Sequence, residues 1–67
     1  MTQPLHQLRA LDEEQELSVR VQRLTVFLKS ELAMAVPTEE LKLMARQLGY
    51  MKQYLEVLQE RIKAFRK

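Results

Sequence analysis

The clearest pattern in the chain is a heptad repeat of apolar residues in its C-terminal half. Apolar side chains recur there at alternating spacings of three and four residues, as in a helix that packs along one side against a neighbour. The repeat predicts a helix from about residue 39 to residue 66. Gly49 lies in its middle, where the helix either tolerates it or is closely approached by another backbone. The repeat consists of Leu41, Met44, Leu48, Met51, Leu55, Leu58, Ile62 and Phe65.

A less regular apolar stripe runs through the N-terminal half. Asp12 followed by Gln15 resembles a capping box, so we expect a helix from about residue 12 to residue 34. Residues 1–11 are predicted to form a separate arm with a short helix after Pro4. The pattern leaves open whether this arm continues into the main helix. The stripe consists of Leu17, Val21, Leu24 and Leu28.

A turn over residues 35–38 separates the two predicted helices. Pro37 favours an extended backbone at Val36, because the proline ring clashes with a helical residue before it. Thr38 then offers a hydroxyl cap for the second helix, with Glu39 in the first turn where the helix dipole favours negative charge. These residues predict that the chain reverses direction here.

The reversal predicts a definite register between the two helices. Antiparallel folding brings Leu28 near Met44 and Leu17 near Leu55, so the apolar layers match. The same register sets the acidic residues Glu13, Glu14 and Glu16 beside the basic stretch 61–67. Pairing of opposite charges at the open end of the hairpin therefore disfavours a parallel arrangement.

Both helices carry more apolar surface than a single neighbour covers. A helix that is apolar over more than one stripe is usually buried on more than one side. We therefore predict an all-α fold, in which an antiparallel two-helix hairpin dimerises into a four-helix bundle. The predicted interface residues are Val19, Val26, Phe27, Leu43, Tyr50, Met51, Tyr54, Val57, Leu58 and Phe65.

Composition supports association and limits the chemistry. A chain of 67 residues forms at most one domain and buries only about 60% of its unfolded surface. It has no cysteine and a single histidine, His6, so disulfides, thiolate metal sites and a histidine cluster for zinc are excluded. Oligomerisation and regular helix packing remain as sources of stability.

The charge of the chain is mildly positive and spread along its length. A net charge of +2 without a basic face is not typical of a dedicated nucleic-acid binder. A small anion-binding face is the alternative that we keep. Without an apolar run of about 20 residues, we expect a soluble cytoplasmic protein that has no membrane contact. The possible anion-binding residues are Arg20, Arg23, Arg46, Arg61 and Lys63.

Residues that carry out catalysis are missing from the pattern. The chain lacks a cysteine nucleophile, a serine with a nearby histidine, a glycine-rich phosphate loop and a carboxylate pair on an apolar face. Glu56 and Glu60 stand one turn apart, but on the polar side of the predicted helix. We therefore expect no enzymatic activity, no cofactor and no metal.

Three short motifs resemble a known group of proteins. They are an Arg-Leu-x-x-Phe-Leu segment, a Gln-Leu-x-x-Met-x-x-Tyr segment and a closing Leu-x-x-Arg-Ile-x-x-Phe segment, beginning at Arg23, Gln47 and Leu58. The chain is similar to the small helical-hairpin proteins of tailed bacteriophages, which include short open-reading-frame proteins of the lambdoid exo-xis region. The resemblance implies an early accessory protein in the bacterial host cytoplasm, associated with the choice between lysis and lysogeny.

Two functional hypotheses follow. The first is a non-enzymatic, phage-encoded regulatory protein that forms a homodimer and acts by binding an unidentified host or phage protein. The alternative is a small nucleic-acid or anion-binding helical module. A helix that lies on a membrane surface is less favoured, because acidic residues interrupt the polar faces and the apolar faces match each other.

Overall fold

The computed structural model describes residues 5–65 and shows an all-α hairpin. Helix α1 spans Leu5–Lys29, a short 3₁₀ helix spans Glu31–Ala35, and helix α2 spans Thr38–Phe65. The two long helices pack against each other in a rod of about 50 × 15 × 15 Å. The predicted antiparallel two-helix hairpin is thus confirmed. The predicted end of the second helix at residue 66, the arm residues 1–4 and the basic residues Arg66 and Lys67 lie outside the described part.

Helix α1 is longer at its N-terminus than the sequence indicated. It begins at Leu5 and passes through Asp12 without interruption, so residues 5–11 are part of the main helix. The segment has no proline or glycine to stop it, and the buried Ala10 extends the face that continues with Leu17. Asp12 is exposed on the opposite side. The apparent capping box is therefore a solvated stretch within a continuous helix.

The C-terminal end of α1 lies at Lys29 instead of near residue 34, and Ser30 explains the difference. Ser30 has an extended backbone, with φ −90° and ψ 165°. Its N–H and its hydroxyl both donate to the carbonyl oxygen of Phe27, at 3.0 and 2.7 Å. A serine side chain that bonds to a nearby carbonyl competes with the helical ladder. The chain then continues as the 3₁₀ turn Glu31–Ala35.

The connection to α2 follows the proline. Val36 is extended, with φ −92° and ψ 136°, as predicted for a residue before proline. The carbonyl of Pro37 accepts the N–H of Leu41 at 3.0 Å, so Pro37 occupies the cap position and Thr38 is already the first helical residue. The two glutamates that follow lie in the first turn, as expected.

The core of a single hairpin is thin. Only one large side chain, that of Leu58, is completely buried in the described residues. Most of the heptad residues of α2 are half-buried, because a single neighbouring helix covers one side of the seam. The buried residues are Ala10, Leu17, Ala33, Leu58 and Ile62.

The fold of the hairpin does not require glycine at position 49. A Cβ atom built at this position meets nothing within 4 Å, and its φ is not positive. The sequence left open whether the helix tolerates this glycine or another backbone approaches it closely. Within the hairpin, the helix tolerates it.

The substitution Gly49→Ala should therefore stabilise the protein. Alanine removes the helix penalty of glycine, so the free energy of unfolding should rise by about 0.8–1 kcal/mol, or about 4–8 °C in Tm. Chemical and thermal denaturation followed by circular dichroism measure this. The control Ala45→Gly, at another exposed position of α2, should lower stability by a similar amount. A loss of stability in Gly49→Ala would show that another backbone approaches this position in solution.

Candidate interaction surface

One lateral side of the hairpin carries a row of large apolar side chains on α2. Leu43, Tyr50 and Val57 follow each other at seven-residue intervals, and Tyr54 lies beside them. At 100° per residue, this row lies roughly a third of a turn from the hairpin seam. The four side chains are 44–61% exposed. We call this row, together with Gln47, the tyrosine face.

A hydrogen bond shows which side of the hairpin the tyrosine face occupies. The hydroxyl of Tyr54 donates to the carboxylate of Glu13 across the two helices. The phenol ring therefore lies along the edge where α1 and α2 meet, and its hydroxyl is satisfied by a charged acceptor. This bond connects the lateral edge of α2 to the N-terminal half of α1.

The outer side of α1 carries a second apolar row. Leu5, Leu8, Val19 and Val26 lie away from α2 and are 41–62% exposed. Polar side chains interrupt this row in its middle, where Asp12, Gln15 and Gln22 occupy the intervening helical positions. We call this row the outer α1 stripe.

The tip of the hairpin is also apolar. Leu32 and Met34, in the 3₁₀ turn, are 70% and 84% exposed. Beside them lies an open groove of about 440 Å³, lined in part by Arg23, Val26 and Phe27. Leu32 and Met34 are not among the predicted interface residues, because the first helix was expected to continue to residue 34. The serine at position 30 is the signal that would have indicated the earlier end.

The predicted interface residues divide between these surfaces. Six of them are exposed: two on the outer α1 stripe and four on the tyrosine face. Phe27, Met51 and Phe65 are half-buried. Leu58 requires a correction, because it is 0% exposed and packs inside the hairpin seam. It is not accessible to a partner, since its heptad position faces α1.

The five possible anion-binding residues do not converge on one site. Arg20 pairs with Glu16 at 3.5 Å, as the spacing of four residues predicts. Arg23 lines both the groove beside Arg20 and the groove at the tip. Arg46 lies in a separate groove on α2, next to Leu43 and Tyr50.

The other two basic residues, Arg61 and Lys63, lie on the C-terminal half of α2. The acidic residues of α1 were predicted to pair with this basic end of α2, but the described residues show other contacts there. In residues 5–65 the ion pairs lie within single helices, with none between α1 and α2. Lys63 lines a cleft that also contains Glu14, Glu56 and Glu60. Acidic side chains from both helices thus meet there, and Glu13 accepts the tyrosine hydroxyl instead of a cation. Arg61 is exposed.

The described helices show no further specialised site. Neither α1 nor α2 has the long, charge-poor apolar stretch that a bilayer-crossing helix requires. Residues 5–65 contain no group of three or more histidine, cysteine or acidic side chains placed to hold a metal ion. The most distinctive surface features are the apolar rows.

The fold and these surfaces define a small all-α hairpin protein with apolar rows on more than one side. Comparison with protein families gives the classification, because the family model Sequestin matches residues 4–64. The chain belongs to the Sequestin family. No curated protein and no solved structure gave a significant match.

The hydrogen bond between the helices generates a prediction about Tyr54. The substitution Tyr54→Phe removes the hydroxyl that donates to Glu13. It should lower the free energy of unfolding by about 0.5–1 kcal/mol, which is the lower part of the range for a protein hydrogen bond, because both groups are exposed. Urea denaturation measures this loss. Tyr50→Phe is the matched control, since no protein hydrogen bond is formed by the Tyr50 hydroxyl in the described residues, and should change stability little. Equal effects of the two substitutions would contradict a bond between the helices.

Proposed function

We propose that this chain is a non-enzymatic accessory protein of a tailed bacteriophage that acts by protein–protein interaction. Its hairpins associate as a homodimer into a four-helix bundle. The observation that carries this proposal is the exposure of large apolar side chains in regular rows, above all Leu43, Tyr50 and Val57. Scattered apolar residues are common on protein surfaces, whereas contiguous apolar patches mark places where partners bind.

The thin core supports self-association. A single hairpin leaves most of its heptad side chains half-exposed, and removing apolar surface from water contributes about 25 cal/mol for each Å². A second hairpin beside the first would cover an exposed row with ordinary bundle geometry, in which neighbouring helices cross at about 20°. Small domains commonly gain the stability that they lack in this way.

The biological setting in this proposal rests on the phage resemblance. The motifs that carry it begin at Arg23, Gln47 and Leu58, and all but the last residue of the third motif, Phe65, lie within the matched Sequestin region, residues 4–64. We propose that the protein is made early in infection, works in the host cytoplasm and influences the choice between lysis and lysogeny. Its partner in that role would be a host or phage protein.

Measurement of the molar mass in solution tests the dimer. Size-exclusion chromatography with light scattering should give about 16 kDa, twice the mass of the 8.0 kDa chain, and the mass should fall on dilution through the dissociation constant. A helical protein that remains at the mass of one chain at all concentrations would contradict the proposal.

The alternative function is the binding of nucleic acid or a small anion. Arg23 and Arg46 favour it, because each borders a groove with apolar or aromatic walls and neither takes part in an ion pair in the described residues. An arginine beside an aromatic ring can bind phosphate and stack on a base.

Titration of the protein with duplex DNA, single-stranded DNA and nucleotides tests this alternative. Binding through phosphate should weaken steeply as salt is added. Arg23→Gln and Arg46→Gln should reduce it about tenfold each, which corresponds to the roughly 1.4 kcal/mol of a charged hydrogen bond. Lys52→Gln, an exposed cation outside these grooves, serves as the control. Absence of binding at low salt would exclude the alternative.

A further inference from the structure

We infer that a second copy of this chain packs on the tyrosine face, with the two α2 helices antiparallel about a twofold axis that passes between Tyr50 and Tyr54. The inference rests on the proposed homodimer and specifies which of the apolar surfaces forms it. It also assigns the orientation of the two hairpins. Both parts follow from the order of residues along α2.

The first support is the continuity of the apolar row. The tyrosine face runs from Leu43 to Val57 and has Gln47 as its one uncharged polar member. The outer α1 stripe is interrupted by Asp12, Gln15 and Gln22, so packing two copies on it would remove the Asp12 carboxylate from water without a partner, whereas the Glu13 carboxylate beside the tyrosine face accepts the hydroxyl of Tyr54. Burial of an unpaired charge is costly. The tyrosine face therefore fits a second copy better than the outer α1 stripe does.

The second support is the size of the surface. One whole side of the rod, about 50 Å long and 15 Å wide, has a footprint close to the roughly 800 Å² that each partner buries in a stable interface of standard size. The tyrosine face covers about 21 Å of that length and would form its apolar centre. The exposed aromatic rings Tyr50 and Tyr54 lie near the middle of the 28-residue α2 helix. Side chains of this type supply much of the binding energy at the centre of interfaces.

The third support is the order of charges along α2. On the side of α2 that carries the tyrosine face, a block of two acidic residues comes first and then a block of two basic residues, and after the aromatic centre one acidic residue is followed by one basic residue. When one helix is reversed against another, each block meets a block of opposite sign, whereas parallel helices would place like charges together. These blocks are Glu39 and Glu40, Lys42 and Arg46, then Glu60 and Arg61. The other charged residues of α2 point away from the tyrosine face, since Lys52 lies on the opposite side of the helix and Glu56 and Lys63 line the cleft with Glu14.

These constraints favour one register. If the axis passes between Tyr50 and Tyr54, Tyr50 lies opposite the partner's Tyr54, and Gln47 lies opposite the partner's Val57. The residues that lie just beside the tyrosine face on one helix then approach the residues that lie beside it on the other helix. In this register Arg46 comes near the partner's Glu60. The aromatic residues would be covered at the centre and the charged residues would lie at the rim, as in most stable interfaces.

Reversal of these two charges tests the orientation. Arg46 and Glu60 are 14 positions apart on one helix, or about 21 Å, so they do not touch within a chain. Arg46→Glu and Glu60→Arg should each raise the dissociation constant of the dimer about three- to tenfold, because each creates two like-charge contacts. The double variant should return to within about twofold of the original value. Additive weakening in the double variant would overturn the antiparallel register.

A matched pair of lysine substitutions tests the choice of surface. Tyr50 and Val26 are almost equally exposed, at 61% and 62%, but lie on the tyrosine face and the outer α1 stripe. Tyr50→Lys should raise the dissociation constant at least about a hundredfold, as expected when a central aromatic residue is lost. Val26→Lys should leave it unchanged. The reverse result would assign the dimer to the outer α1 stripe and overturn the inference.

A cross-linking experiment separates failure of this inference from failure of the dimer itself. The chain has no cysteine, so Gln53→Cys provides a single thiol close to the axis, and Gln22→Cys provides one on the outer side of α1. A short bismaleimide should join two Gln53→Cys chains but not two Gln22→Cys chains. If light scattering shows a dimer and only Gln22→Cys is joined, the surface is wrong while the proposed dimer stands. A protein of single-chain mass refutes both.

Discussion

The burial of one heptad seam between α1 and α2 is the interaction on which the rest of the structure depends. Leu17 from α1 and Leu58 and Ile62 from α2 are its most enclosed large side chains. Since both helices are long, the direction of every other side chain is set by its angle around the helix from this seam. The apolar rows outside the seam are consequently directed to solvent, because a two-helix hairpin has no further element to cover them.

Polar contacts adjust this arrangement without determining it. Ser30 ends α1 through two bonds to the carbonyl of Phe27, and Pro37 begins the reversal. Tyr54 and Glu13 then join the helices at one edge. The surface ion pairs lie within single helices and are mostly solvated, so each contributes little to stability. In the dimer that we propose, charge matters more for the choice of neighbour, since its order along α2 favours antiparallel over parallel association.

The functional proposals follow from what the hairpin leaves uncovered. The tyrosine face and the outer α1 stripe lie on different sides of the rod, so a twofold dimer on the first leaves the second accessible. The apolar tip with Leu32 and Met34 lies at the end of the rod, away from its sides. A protein built in this way can associate with itself and keep a further surface for another partner. Membership of the Sequestin family covers nearly the whole hairpin, residues 4–64, and therefore includes these surfaces.

The sequence alone determined the two helices, the turn at Pro37 and the seam, because heptad spacing and proline stereochemistry act locally. It also indicated Tyr50, Tyr54 and Val57 as surplus apolar residues. Only the tertiary structure decided that α1 continues through Asp12, since an acidic run remains helical when its neighbours extend a buried face. Likewise, only the packed hairpin showed that Leu58 is fully covered within the seam and cannot also belong to the predicted interface with Val57. Adjacent residues on a helix point about 100° apart, and which of them is covered depends on where the other helix lies.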